Sequence, residues 1–146
     1  MSLFRCNSRV IEGISRVKYT KVASYLDVSW FHEKCNINPS GFQWFDLTKD
    51  DPNYILEQSI NAEKKLNKFI DEIKYKFNLE NNKICLSGFS QGCMMSINLG
   101  LTTDKEYNCV VGFSGKIINQ KDLKSRKRAS TNTLLIHGDS DQVVSP

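Results

Sequence analysis

Lys83-Ile-Cys-Leu-Ser-Gly-Phe-Ser-Gln-Gly-Cys-Met-Met95 is the stretch whose reading decides the fold. Ile84, Cys85 and Leu86 form a short apolar run suited to a strand. Gly88-Phe89-Ser90-Gln91-Gly92 then supplies a turn. Cys93, Met94, Ile97, Leu99 and Leu101 offer an amphipathic helix with no proline to stop it. A strand, Gly-x-Ser-x-Gly and a helix, in that order, present a serine hydroxyl on a sharp, strained bend above a sheet edge. Strand and helix approach closely there, so the positions two before and two after Ser90 must be nearly free of side chain. Both are Gly. The backbone N–H of Gln91 would point at the oxygen that becomes negative during acyl transfer. The bland alternative is a Gly-rich turn carrying a solvated serine. A phosphate-cradling loop is disfavoured, because the Lys-Ser/Thr pair it needs is absent.

Upstream, Asp50-Asp51-Pro52 is a helix start: a capping carboxylate precedes a proline that the first turn tolerates. Ile55, Leu56, Ile60, Leu66, Phe69, Ile70, Ile73 and Phe77 then recur at three- and four-residue spacing. Charged residues take the other faces, so a long amphipathic helix with one buried stripe is expected. Asn81-Asn82 turns the chain into the strand before Ser90. Downstream, Tyr107–Phe113 reads as a second buried strand and Thr133–His137 as a third, separated by a polar stretch with room for one short helix. Earlier still, Val22–Trp30 is loosely strand-like, and Pro39-Ser40-Gly41 marks a turn. Apolar strands alternating with helices predict an α/β chain: a mostly parallel sheet with helices on both faces.

Three segments together resemble the carboxylesterase and acyl-thioesterase branch of the α/β-hydrolase superfamily, which includes phospholipase/carboxylesterase-type enzymes. Gly41-Phe-Gln-Trp-Phe-Asp46 is similar to the aromatic segment before that branch's long helix. Gly88-Phe-Ser-Gln-Gly-Cys93 resembles its nucleophile elbow. His137-Gly-Asp-Ser-Asp-Gln-Val-Val-Ser-Pro146 resembles the loop that carries its acid. The resemblance covers residues 35–146 and leaves 1–34 as an unmatched N-terminal segment. It implies a nucleophile at Ser90, an acid at Asp141 with Asp139 as its competitor, and an oxyanion-hole amide at Gln91. Trp44, with Phe45, would wall an acyl pocket, although core packing competes for at least one of them.

The resemblance also implies a histidine after the acid, since chain order in this superfamily is serine, acid, histidine. Only His32 and His137 occur, and neither follows Asp141. His137 matches a histidine with a structural part. The early strand that would donate the second oxyanion amide has no counterpart in residues 1–34. The chain is therefore expected to be an incomplete, truncated α/β-hydrolase. The function implied is cleavage of acyl esters or thioesters through a Ser90 acyl-enzyme; the alternative is an inactive remnant lacking the catalytic histidine.

Composition narrows the rest. A chain of 146 residues holds one moderate core. No apolar run approaches a membrane span, and the N-terminus lacks the apolar core of a secretory signal, so a cytoplasmic location is expected. The five cysteines are odd in number, without a Cys-x-x-Cys, and fit reduced thiols better than a disulfide frame. Lys121, Lys124, Arg126, Lys127 and Arg128 form a basic patch with no interleaved aromatic, which reads as a solvated linker; no nucleic-acid partner is expected. Two isolated histidines and dispersed cysteines lack ligand spacing, so no metal or cofactor is expected. The expected partner is a small-molecule acyl ester or thioester, and an uncovered sheet edge would invite self-association.

Overall fold

The computed structural model describes residues 33, 34 and 42–144. They fall into two units divided between Gln43 and Trp44. In the first, β1 (Glu33–Lys34) pairs antiparallel with β2 (Phe42–Gln43). The expected strand at Val22–Trp30, the turn at Pro39–Gly41 and His32 lie outside the described residues.

The second unit opens with α1 (Pro52–Phe77). Asp51 caps it by accepting the Asn53 amide at 2.9 Å and the Tyr54 amide at 3.4 Å, satisfying donors that a first turn leaves unpaired. Asn78 ends it in the left-handed region at φ 51°, one of the few side chains that accept that conformation readily. A 3₁₀ turn at Asn81–Lys83 leads into β3 (Cys85–Phe89), followed by α2 (Gln91–Thr102), β4 (Cys109–Phe113), α3 (Gln120–Arg126) and β5 (Thr133–Ile136). The three strands form a parallel sheet in the order β3-β4-β5, aligned so that Phe89, Phe113 and Ile136 lie side by side.

α2 lies against β3 and β4 and is the centre of the core. Where an amphipathic segment was expected, every residue from Cys93 to Gly100 is buried. The reason is that α2 is enclosed: the sheet lies on one side, with α1 and α3 packed against its flanks. Met94 and Met95 join Phe45, Ala62 and Val144, while Cys93 and Ile97 join Val110 and Leu123. Burial of the Phe, Met, Ile, Leu and Val side chains among them contributes about 1.5–3 kcal/mol apiece.

The buried stripe of α1 differs from the periodic expectation in one respect. Its most enclosed positions include Ser59, Ala62 and Glu63, while Phe77 is exposed. Small residues let α1 approach α2 closely, and Glu63 is drawn inward by partners. Its Oε2 meets Arg126 Nη1 at 2.8 Å, and its Oε1 accepts Asn98 Nδ2 at 2.9 Å. Arg126 Nε also donates to Asp122 at 2.7 Å. A carboxylate buried this deeply persists only when paired and hydrogen-bonded. The Glu63 carboxylate in turn holds the Arg126 guanidinium pKa above its ordinary value. One ion cluster thereby ties α1, α2 and α3 together. Arg126, counted in the sequence as part of a solvated basic patch, belongs to this cluster.

Candidate active site

Ser90 occupies the single residue between β3 and α2, with φ 53° and ψ −116°. A non-glycine residue held there costs of order 1–3 kcal/mol, which surrounding structure must offset. Two backbone bonds fix it. Its amide donates to Phe113 O at 2.9 Å, and its carbonyl accepts the Met94 amide at 3.1 Å to start α2. Its hydroxyl makes no capping bond to the helix it precedes.

The close approach of strand and helix is real, but the two glycines carry it unequally. A Cβ on Gly88 would lie 2.1 Å from the carbonyl carbon of Gly92, a backbone collision that nothing can relax. A Cβ on Gly92 would meet Trp44 Nε1 at 3.7 Å, an ordinary contact. Only Gly88 is required by space; Gly92 supplies the backbone against which it sits.

Gln91 is the first residue of α2, where amides have no partner within the helix and the helix dipole favours negative charge. Its side chain is clasped by the segment ahead of α1. Oε1 accepts the Trp44 amide at 3.0 Å, and Nε2 donates to Phe45 O at 3.0 Å. Phe45 is buried in the core, and Trp44 packs partly buried at its margin. Sequence reasoning missed this clasp. Its one available signal was a carboxamide beside the serine, a group able to pair with both halves of a peptide unit.

The loop after β5 holds Asp141. Its Oδ1 accepts the Val143 amide at 2.9 Å and the Val144 amide at 3.0 Å, while its own amide donates to Gly138 O at 3.0 Å. Val144 anchors the loop by entering the core beside Phe45 and Met94. The Val144 and Val143 amides hold the Asp141 carboxyl below its ordinary pKa, helped by the hydroxyl of Ser114 and the charge of His137. Asp139, the competing acid, is exposed. His137 is half-buried, with Nε2 2.7 Å from Val144 O and 3.5 Å from Asp141 Oδ2. An Nε2 that close to a carbonyl oxygen carries the proton and donates it.

Because β3, β4 and β5 are parallel and aligned, Ser90, Ser114 and the Asp141 loop all leave the same, carboxyl end of the sheet. That is the end at which open parallel sheets bind ligands. β4 links the two candidates: Ser90 bonds to Phe113, and the adjoining Ser114 helps lower the Asp141 pKa. The hydroxyl of Ser114 was not singled out from the sequence.

Comparison with known proteins agrees with this architecture. The Phospholipase/Carboxylesterase family model matches residues 30–145. The chain belongs to that family, within the α/β-hydrolases. Acyl-protein thioesterase 1 of Yarrowia lipolytica is 35% identical over 66 residues, which are 43% of this chain and 29% of that protein. Acyl-protein thioesterase 1 of Schizosaccharomyces pombe is 32% identical over 74 residues, 51% of this chain and 31% of the relative. Among solved structures, esterase PE8 superposes with a TM-score of 0.71 at 33% identity, covering 77% of this chain and 53% of its own. Arabidopsis thaliana SOBER1 shares the fold with a TM-score of 0.56 at 21% identity, covering 77% of this chain and 56% of its own. The matched region is thus about three-tenths of the length of the curated relatives and about half of these solved chains. Among the described residues no helix is long and apolar enough to cross a membrane.

Proposed function

We propose that this chain carries the nucleophile and acid of a serine hydrolase that cleaves acyl ester or thioester bonds through a Ser90 acyl-enzyme. The observation that carries the reading is the strained backbone of Ser90, at positive φ over Gly88, on the sheet end from which the Asp141 loop also departs. Ser114 also has positive φ, but at Ser90 the bend is packed tightly over Gly88 and α2 starts at once, the strand-turn-helix that a nucleophile elbow needs. Ser90 Oγ attacks the acyl carbonyl, and the Gln91 amide at the start of α2 donates to the oxygen that becomes negative. Asp141 accepts a hydrogen bond from an imidazole and holds its tautomer. His137, the one histidine among the described residues, donates its Nε2 proton to Val144 O and is not the base in this reading. Water then releases the acid from Ser90. Relatives named esterase and acyl-protein thioesterase support an oxygen or sulfur ester as substrate; Trp44, whose Nε1 lies beside Gly92, is assigned to the acyl side of the site.

The test pairs a fluorophosphonate probe with a short-chain p-nitrophenyl ester at neutral pH. Labelling should fall on Ser90 and vanish in Ser90→Ala, with hydrolysis lost alongside it. Loss of the nucleophile costs about 10⁶-fold in turnover where a triad is complete. Turnover close to the Ser90→Ala control combined with absent labelling would favour the other reading, a chain that is inactive by itself. The engagement of His137 is the observation behind that second reading.

A further inference from the structure

Cys85 and Cys109 stand at the amino end of the sheet, a full strand length from Ser90. They are direct partners in the parallel register of β3 and β4, so both side chains project from one face. Their sulfurs lie 3.2 Å apart, with the Cys109 thiol donating to Cys85 Sγ. Cys85 is exposed and Cys109 half-buried, whereas Cys93 is enclosed under α2. Nothing in the Ser90 chemistry uses this pair.

We propose that Cys85 and Cys109 form a modification site, a cross-strand dithiol that small-molecule disulfides oxidise reversibly to an internal disulfide. Neighbouring strands run about 4.8 Å apart, inside the Cα separation that a disulfide bridges. The sulfurs have to close from 3.2 Å to about 2.05 Å, a shift that side-chain rotation supplies. Cβ atoms spaced as the strands are lie farther apart than the roughly 3.8 Å of a relaxed bridge, and a bridge stretched in this way is easily reduced. Reversibility follows from the register.

The exchange balances with oxidised glutathione as co-reactant. Burial, the hydrogen bond with Cys109 and the charge Cys109 would bear push the Cys85 thiol up to about 12. The two thiols share one hydrogen bond, and the electron balance is the same whichever attacks first; Cys109 leads one of the two equivalent routes. The Cys109 thiolate bonds to one glutathione sulfur, the S–S bond of the oxidant breaks, and the departing thiolate takes up a proton. Cys85 then loses its proton to solvent and attacks Cys109 Sγ, expelling the second glutathione, which is protonated in turn. Two protein thiols lose two electrons and one disulfide becomes two thiols.

The experiment uses the full chain, held in glutathione buffers from reducing to oxidising, quenched with acid, alkylated and mapped by mass spectrometry. The expected product is a peptide linking Cys85 to Cys109 that accounts for most of both residues and disappears with dithiothreitol. Cys93 should remain a free thiol. In Cys85→Ser the glutathione should persist on Cys109, because the resolving thiol is gone. Recovery of both residues as free thiols, separate glutathione on each, or bridges from either to Cys6, Cys35 or a second copy would overturn the proposal. The linked peptide is read on the unsubstituted protein, so a variant that fails to fold leaves the test intact.

Discussion

β3 and β4 end alike. Ser90 and Ser114 both have positive φ, 53° and 46°, and each donates its amide at 2.9 Å to the last carbonyl of the neighbouring strand. Each also follows, by two residues, a glycine paired in register, Gly88 beside Gly112. The difference lies in what surrounds the bend. Gly88 is pressed against the backbone of Gly92, and α2 starts at once. A Cβ on Gly112 would meet Cys93 Sγ at 2.3 Å and Leu135 Cδ2 at 2.9 Å, both ends of side chains. The Ser114 hydroxyl helps hold the Asp141 carboxyl below its ordinary pKa, whereas that of Ser90 makes no capping bond to the helix it starts. Both bends thus hold a serine at positive φ, but only at Ser90 does a helix start at once over a glycine that meets backbone.

The largest effect should come from Gly88→Ala. A backbone collision has no cheap escape, so destabilisation of at least about 3 kcal/mol is expected in urea titration, at the upper end for overpacking. Gly112→Ala should cost less, about 1–2 kcal/mol, and adding Cys93→Ala should recover part of that loss. Equal costs for the two glycines, or no recovery, would erase the distinction between backbone and side-chain contact. Ser90→Gly should raise stability by about 1 kcal/mol, since relief of strain outweighs the added freedom of the unfolded chain. A destabilised Ser90→Gly would mean that the bend is not under strain.

The smallest effect concerns pH. The folded Asp141 carboxyl titrates below its ordinary 3.8. Its contribution to stability is therefore complete above that value and is lost as pH falls through the depressed one. Ser114→Ala removes one of the groups that lower it, so loss of the loop should move to higher pH, toward 3.8. The Val143 and Val144 amide resonances report this titration. An unchanged midpoint would show that the Ser114 hydroxyl does not act on Asp141.

Much of the fold is legible in the sequence. The Asp51-Pro52 start, the strand-turn-helix around Ser90 and the short helix in the stretch after β4 are local signals, set by capping chemistry, turn residues and apolar spacing. The enclosure of α2 was not legible, because burial on every side depends on what α1 and α3 bring to it. Nor was the inward draw of Glu63, which rests on Arg126, 63 residues away. At the candidate site the serine bend and the acid loop carry sequence patterns. Ser114 carries none, and the Gln91 clasp only a carboxamide beside the serine, because its partners are the distant backbone of Trp44 and Phe45. Cys85 and Cys109 became a pair only when β3 and β4 were aligned.

The carboxamide of Gln91 substitutes for one peptide unit of an extra strand, offering an acceptor to Trp44 and a donor to Phe45. A graft of two hydrogen bonds specifies where residues 44 and 45 must lie, but places no demand on how many residues intervene. The exposed connector at Leu47–Asp50 can therefore change length at small entropic cost while the bend keeps its alignment. Gln91→Glu would set a second acceptor against the Phe45 carbonyl, unfastening the graft with almost no change in shape.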